Sequence, residues 1–149
     1  MLFLYCQLGE QAYAIPYHVI DTIVPWVILE TVPQAPIFFA GFFNYHDKLI
    51  PVIDLRQLIH GQNCTMRLNS RIILVKIGQQ QLGLLAEQII ETQHVAEHRL
   101  KHNTKFTETP WFDGFIMNET NMIQCLALPA LIEQKILPQI NLLAWNQNE

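Results

Sequence analysis

Residues 41–59, GFFNYHDKLIPVIDLRQLI, constrain this chain more than any other stretch. An aromatic run ending at Tyr45 meets a polar pair, His46 and Asp47, and the chain returns as KLIPVI, rich in β-branched residues. The pattern predicts a strand, a tight turn and a second strand. Pro51 has no N–H to give to a ladder, so the second strand is expected to lie on a rim or to carry an edge there. Asp54 stands where a helix N-cap belongs and Gln57 completes a capping box, while Leu55, Leu58 and Ile59 give a short helix one apolar stripe. Gly61 falls where a left-handed C-cap is expected.

The rest of the chain reads as further short strands. Residues 2–8 and 11–15 flank Gly9 and Glu10 as a hairpin, 16–19 form a short turn, and 20–29 form a strand interrupted at Pro25. A proline-punctuated loop follows at 32–36, and 62–69 is a polar crossing into a second half. There 70–77, 81–86 and 88–95 continue the β pattern, and 97–113 is polar enough to predict a long mobile loop. Residues 114–117 and 122–127 make a last hairpin around 118–121, and Pro129 opens a helix that runs to 137, where Pro138 stops it. Short strands at this spacing indicate an all-β fold of barrels rather than a parallel sheet. The length suits one domain, 1–149, built of two small barrels, approximately 1–66 and 67–149, with terminal segments free to cross between them.

Half of the residues are apolar and only 15% are charged, against about 25% in an average domain. So little charge predicts exposed apolar patches and a protein that works in complexes, with self-association open to it. The bland alternative is an ordinary domain with Gln, Asn and Thr on its exterior. A net charge of -4 without a basic stripe argues against nucleic acid as a partner. The chain enters a strand pattern directly after Met1, with no basic leader. The uncharged aromatic stretch 31–46 is broken by Pro33 and Pro36 and falls short of the roughly 20 residues a membrane span needs, so direct insertion is not expected. Cys6, Cys64 and Cys125 are odd in number and lack metal-ligand spacing, which fits packing residues in a reducing cytoplasm.

Little in the chain argues for catalysis. Ser70 is the only serine and has no nucleophile-elbow glycines around it; a polar residue at a strand start is the simpler reading. The six glycines are scattered, with no phosphate-binding loop and no other cofactor motif. The four aspartates are widely spaced. One cluster has metal-ligand types: His94, His98 and His102, four residues apart, share a face on a helix and also on a strand. Against it stand the loop-like sequence beyond Arg99 and the lack of an HExxH pattern. A stand-alone metal- or small-molecule-binding barrel is therefore the alternative reading, and a solvated polar edge is the plain one. The aromatics of 38–45 divide by strict alternation into Phe39, Phe43 and Tyr45 on one side and Phe38 and Phe42 on the other. Apolar residues on both faces mean either a strand between two layers or a face, with Phe42, Phe43 and Tyr45 as candidates, that meets a partner.

Taken in order, LFLYCQLGEQAYAIP, AGFFNY, IPVIDL, RIILV, LGLLAE and MIQCLALPALI resemble the CheW family of chemotaxis coupling proteins over nearly the whole chain. The resemblance implies two intertwined five-stranded SH3-like barrels with a few short helices. It implies a non-enzymatic adaptor that bridges a CheA-type histidine kinase, through its regulatory domain, and the cytoplasmic tip of chemoreceptors. Carried over by position, the receptor-facing groove would include Ile20, Thr22, Gly41, Asn44 and His46. The family pattern has a glutamate at the place of Thr22, an arginine at that of His46 and a glycine at that of Asp47. The departures at Thr22 and His46 remove an ion pair and imply a different receptor tip, with a surface-sensing or pilus-type output.

Overall fold

A computed structural model of the chain describes residues 1–102, 111–117 and 121–145, with only the backbone of Leu143. Among the described residues, eleven strands form two sheets. They are β1 (Leu2–Leu8), β2 (Gln11–Pro16), β3 (Ile20–Pro25), β4 (Phe39–Tyr45), β5 (Lys48–Asp54), β6 (Arg71–Ile77), β7 (Gln80–Ala86), β8 (Gln88–His94), β9 (Leu100–His102), β10 (Phe112–Met117) and β11 (Met122–Leu126). One sheet has six strands in the order β8-β1-β2-β11-β10-β9; the other has five in the order β3-β6-β7-β5-β4. Ladders are antiparallel except β11 with β2 and β5 with β7.

The expected mostly-β architecture is present. The five-strand count holds for one sheet, and β9 gives the other its sixth strand. The strands do not divide at residue 66: β6 and β7 pair with β3 and β5, and β8 and β11 pair with β1 and β2. Each sheet therefore draws strands from both sides of that boundary, and the N-terminal hairpin belongs with the C-terminal strands.

Apolar runs in these strands have a common cause: both faces are buried. Along β1, Leu4, Cys6 and Leu8 enter the large core shared by the two sheets, while Phe3 and Tyr5 enter a second cluster with Ala14, Ile116 and Ile123. Along β6, Ile73 and Val75 face the shared core, and Ile72 and Leu74 face a third cluster with Ile50, Val52 and Leu85. A strand covered on both sides has no position for a polar residue, so alternation disappears from its sequence. The C-terminal segment seals the shared core. It runs through α2 (Leu128–Leu131), a wider π-type turn at Ile132–Ile136, and α3 (Leu142–Trp145), and Ile140 and Leu142 are buried there. Pro129 sits in the first turn of α2, as the sequence predicts.

The helix after β5 forms with one half of the expected capping box: the Asp54 N–H donates to the Phe38 carbonyl at 2.7 Å, so the reciprocal bond from the Gln57 side chain is not made. In α1 (Leu55–His60) the Asp54 Oδ1 accepts from the Gln57 N–H at 3.0 Å, and Gly61 closes the helix at φ 74°. Asp54 Oδ2 accepts from the Cys64 N–H at 2.9 Å, so one buried carboxylate caps the helix and holds the loop beyond it. Pro51 precedes the first β5–β7 pair, Val52 with Gly83, so the strand is internal but has an open side at the proline.

Three expectations change. β3 ends at Pro25, whose missing N–H stops the ladder to β6, and residues 26–29 leave the sheet rather than extend it. The polar segment expected as one loop is partly ordered: a 3₁₀ turn at Glu97–Arg99 leads into β9, which pairs with β10. Residues 103–110 of that segment, and 118–120 of the last hairpin's turn, lie outside the described residues. The third change is in β4. A bulge between Phe39 and Gly41 shifts the alternation. Phe39 thereby joins Phe42 against Trp145, with ring centroids 5.5 and 5.2 Å away, instead of joining Phe43 and Tyr45.

Candidate interaction surface

β4 and the chain leading into it form one rim of the five-stranded sheet. The bulge in β4 depends on Gly41, which is buried with φ 142°. A Cβ there would lie 2.6 Å from the Glu30 carbonyl oxygen and 2.7 Å from the Leu29 Cβ, so only glycine fits without displacing the overlying backbone. Glu30 and Phe42 exchange both backbone hydrogen bonds, at 2.9 and 2.8 Å. This single bridge ties the proline-rich segment across the outside of β4.

The segment thus pinned shows apolar side chains to solvent. Ile28 is 94% exposed, Ile37 79% and Trp26 43%. Together with Phe39 and Met66 they line an open groove of about 440 Å³ whose wall includes Asp54 and Cys64. Prolines at 25, 33 and 36 restrict the backbone of this stretch, so its apolar display is held in place rather than collapsing onto the core. Periodicity assigns Trp26 and Ile28 to a strand running to 29, but they leave the sheet at Pro25; the available signal was Ile and Trp within a proline-rich stretch, where polar residues are the norm.

The residues carried over from the family are placed as follows. Ile20 and Thr22 lie on β3, where a bulge between them turns Ile20 toward the shared core and leaves Thr22 opposite Leu74, on the face of the third cluster. Gly41 is covered by Glu30 and contributes shape. Asn44 is exposed, and its Oδ1 accepts from the Asp47 N–H at 3.0 Å. His46 and Asp47 form the β4–β5 turn with φ of 52° and 65°, the left-handed values of a type I′ hairpin held here by two non-glycine residues. The His46 ring stands edge-on to Tyr45, centroids 4.2 Å apart. β3 and β4 are opposite edges of the sheet, yet Val24 of β3 and Phe43 and Tyr45 of β4 pack on the same cluster, so the sheet curls around it. Phe42, Phe43 and Tyr45 are half-buried, and their rings pack within the protein, Phe42 on Trp145 and Phe43 on Tyr45.

The histidine cluster dissolves. His94 ends β8, His98 lies in the 3₁₀ turn and His102 is in β9, so the helix that would have aligned them is absent. Among the described residues no three His, Cys, Asp or Glu side chains form a group able to hold a metal. His102 instead approaches the exposed Glu97 at 4.0 Å. Ser70 is buried; its Oγ donates to the Glu87 carbonyl and accepts from the Arg67 N–H, both at 2.8 Å, a turn-closing role. Burial pushes the Cys6 and Cys125 thiols up to about 12 and raises Cys64 as well, there with help from the nearby Asp54 carboxylate. Thiols so held are packing groups rather than nucleophiles. No helix among the described residues is long and apolar enough to cross a membrane.

Residues 2–135 match the family model for the CheW-like domain. The chain belongs to the CheW-like domain family. The chemotaxis protein CheW of Treponema pallidum (strain Nichols) is 21% identical over 141 residues, covering 90% of this chain and 83% of its own. The chemotaxis protein CheW of Klebsiella aerogenes is 22% identical over 107 residues, 72% of this chain and 64% of its own. Among solved structures, the scaffolding protein CheW of Thermoanaerobacter tengcongensis is 26% identical and superposes with a TM-score of 0.80 over 91% of this chain and 92% of that one. The CheW-like assignment accounts for the mostly-β build and for the order in which the sequence motifs occur.

Proposed function

We propose that this chain is a non-catalytic cytoplasmic adaptor that couples chemoreceptors to a CheA-type histidine kinase. Membership of the CheW-like family and similarity to a CheW scaffolding protein support an adaptor. The single observation of this chain that carries the reading is the exposed apolar rim beside β4, with Ile28 and Ile37 largely in solvent. Burying either side chain against a partner contributes about 1.5–3 kcal/mol, enough for two or three such anchors to sustain a regulated complex. The kinase's regulatory domain and the receptor tip are the two partners, met by different faces.

The receptor-facing set comprises Thr22, Asn44 and His46, shaped by Ile20 and Gly41. With threonine and histidine in place of a glutamate and an arginine, this set selects a receptor tip unlike that of the main swimming system, and the output is surface sensing or pilus control. The test is capture by the tagged chain from its native cytoplasm, with partners identified by mass spectrometry. A CheA-type kinase together with a chemoreceptor is the expected result; neither, from folded protein, would sink the proposal. The double variant Thr22→Glu with His46→Arg is expected to change which receptor is captured, and unchanged receptor choice would remove the specialised-groove part.

A further inference from the structure

Four strands end the two sheets: β8 and β9 on the six-stranded one, β3 and β4 on the other. Three of these edges are blunted in the ways that keep sheets from joining. β4 carries the Glu30 bridge, β3 runs out at Pro25, and β9 has only three residues. β8 is different. It is seven residues long, holds no proline, and its only Asp, Glu, Lys or Arg is Glu91. Among the described residues, β1 pairs with one side of it and no strand pairs with the other.

The end of the β1–β8 ladder fixes which backbone groups face outward. The Val95 N–H donates to the Met1 carbonyl at 2.8 Å, and the Met1 ammonium donates to the Val95 carbonyl at 3.1 Å. Facing residues of an antiparallel ladder alternate between pairs that exchange both bonds and pairs that exchange none. Phe3 with Gln93 and Tyr5 with Glu91 therefore bond across the ladder, and the N–H and C=O of Thr92 and His94 point to the open side. Glu91, Thr92 and His94 are exposed there. A bulge places Ile90 as the extra residue before this regular stretch. The side chains then select what suits the edge. A second β8, antiparallel about a two-fold axis at Thr92, exchanges both bonds between the two Thr92 residues and sets Glu91 opposite Gln93 of the partner subunit. Within one chain the Gln93 amide already donates to Glu91 Oε1 at 3.0 Å, and a carboxylate accepts at both oxygens, so the partner's Gln93 adds a second amide. An axis at Glu91 instead opposes two carboxylates, which is destabilising. An axis at Gln93 leaves Glu91 facing Val95 of the partner subunit, with no donor side chain for the carboxylate.

We propose that two copies of this chain dimerise edge to edge through β8, antiparallel about a two-fold axis at Thr92, with Glu91 and Gln93 paired across the axis. Such pairing is closed: each copy covers the other's open edge and leaves none for a third. None of the rim residues takes part, so the dimer stands or falls independently of the adaptor reading. The test is sedimentation equilibrium of the full-length chain from micromolar to near-millimolar concentration, with amide hydrogen exchange at both extremes. A monomer–dimer equilibrium is expected, with exchange at Thr92 and His94 slowing as the dimer forms. Thr92→Pro removes an N–H that faces away from β1, a place where an edge strand tolerates proline. It is expected to raise the dimer dissociation constant at least about tenfold, since both Thr92 bonds are lost, while amide dispersion shows the fold kept. Gln93→Glu sets carboxylates opposite each other twice per dimer and is expected to weaken it by a similar factor. Adding Glu91→Gln to that variant exchanges the two partners and should restore the dimer, which only the Thr92 axis explains. A monomer at every concentration, a dimer with unchanged exchange at Thr92, or no restoration by the exchanged pair would each overturn the proposal.

Discussion

The Arg56 guanidinium meets the Glu87 carboxylate at 3.3 Å where α1 abuts the corner between β7 and β8. The same Glu87 oxygen accepts from the Gly9 N–H at 2.6 Å, in the β1–β2 turn of the other sheet. Gly9 lies so close over the guanidinium that a Cβ there would sit 3.0 Å from Arg56 Nη2. One ion pair thus clasps a helix that follows the five-stranded sheet to the hairpin of the six-stranded one. Arg56→Met would leave the largely buried Glu87 carboxylate with only a backbone donor. Because the pair is partly solvated, the expected loss is about 2 kcal/mol rather than the full cost of a deeply buried pair. Urea unfolding at pH 7 measures it, and a loss under about 0.5 kcal/mol would show that water replaces the arginine.

Gly41→Ala is expected to cost about 2–4 kcal/mol, since it adds backbone strain at a positive φ to a collision with the Glu30 carbonyl. Amide exchange should speed up at Glu30 and Phe42 in particular, because their mutual bridge is what the methyl displaces.

Asp47→Gly should act in the opposite direction. Asp47 holds φ 65° at the second turn position, where glycine adopts that value freely. The Asn44 Oδ1 bond to its N–H survives the change. A gain of about 0.5–1 kcal/mol, or about 1–4 °C in Tm, is expected by thermal unfolding.

Ile28→Ser with Ile37→Ser should leave stability within about 0.5 kcal/mol, since both side chains are already in solvent. Capture of partners should fall by at least about tenfold. Loss of stability without loss of capture would mean that these residues serve the fold.

Alkaline stability carries the signature of the buried thiols. The pKa values of Cys6 and Cys125 rise from 9.0 to about 12 on folding. A group whose folded pKa is raised contributes fully below its unfolded value and loses that contribution as pH climbs toward the folded one. Stability should therefore be flat in this respect below pH 9 and fall between about 9 and 12, each thiol withdrawing on the order of 1 kcal/mol per pH unit. Cys6→Ala with Cys125→Ala should make that limb shallower, the remainder belonging to Cys64, Tyr5 and Tyr13, whose pKa values burial also raises, although the cavities lower the plateau; an unchanged slope would assign the limb to other groups.

Much of the fold was legible because its causes are local. Asp54 and Gly61 specify the two ends of α1 by capping chemistry, although the box with Gln57 stays half made, and Gly9 with Glu10 marks the first hairpin. The two-sided burial of β1 and β6 showed as unbroken apolar runs. What escaped depends on register or on distant chain. Counting by twos placed Phe39 with Phe43, because no sequence pattern marks the extra residue of the bulge; Gly41 was its one trace. The histidines at 94, 98 and 102 looked aligned under either a helical or a strand period, but the chain there is strand, turn and strand, and no single element carries all three. β9 escaped because a short, polar edge strand has no apolar face to announce it. Trp26 and Ile28 of the apolar rim continue the β3 pattern in the sequence, with only Pro25 to mark where the chain leaves the sheet, and Ile37 lies in a loop, where the pattern rules for strands and helices are silent.

The bridge between Glu30 and Phe42 also decides how this molecule can meet its neighbours. It occupies both backbone polar groups at the middle of an edge strand, so no foreign strand can continue the sheet through that point. Molecules crowded together at this rim are steered from ribbon-like stacking toward discrete, reversible contacts read through side-chain shape. A chain with half its residues apolar and an uncovered Ile28 thereby gains protection against fibre growth on the very margin where it is stickiest.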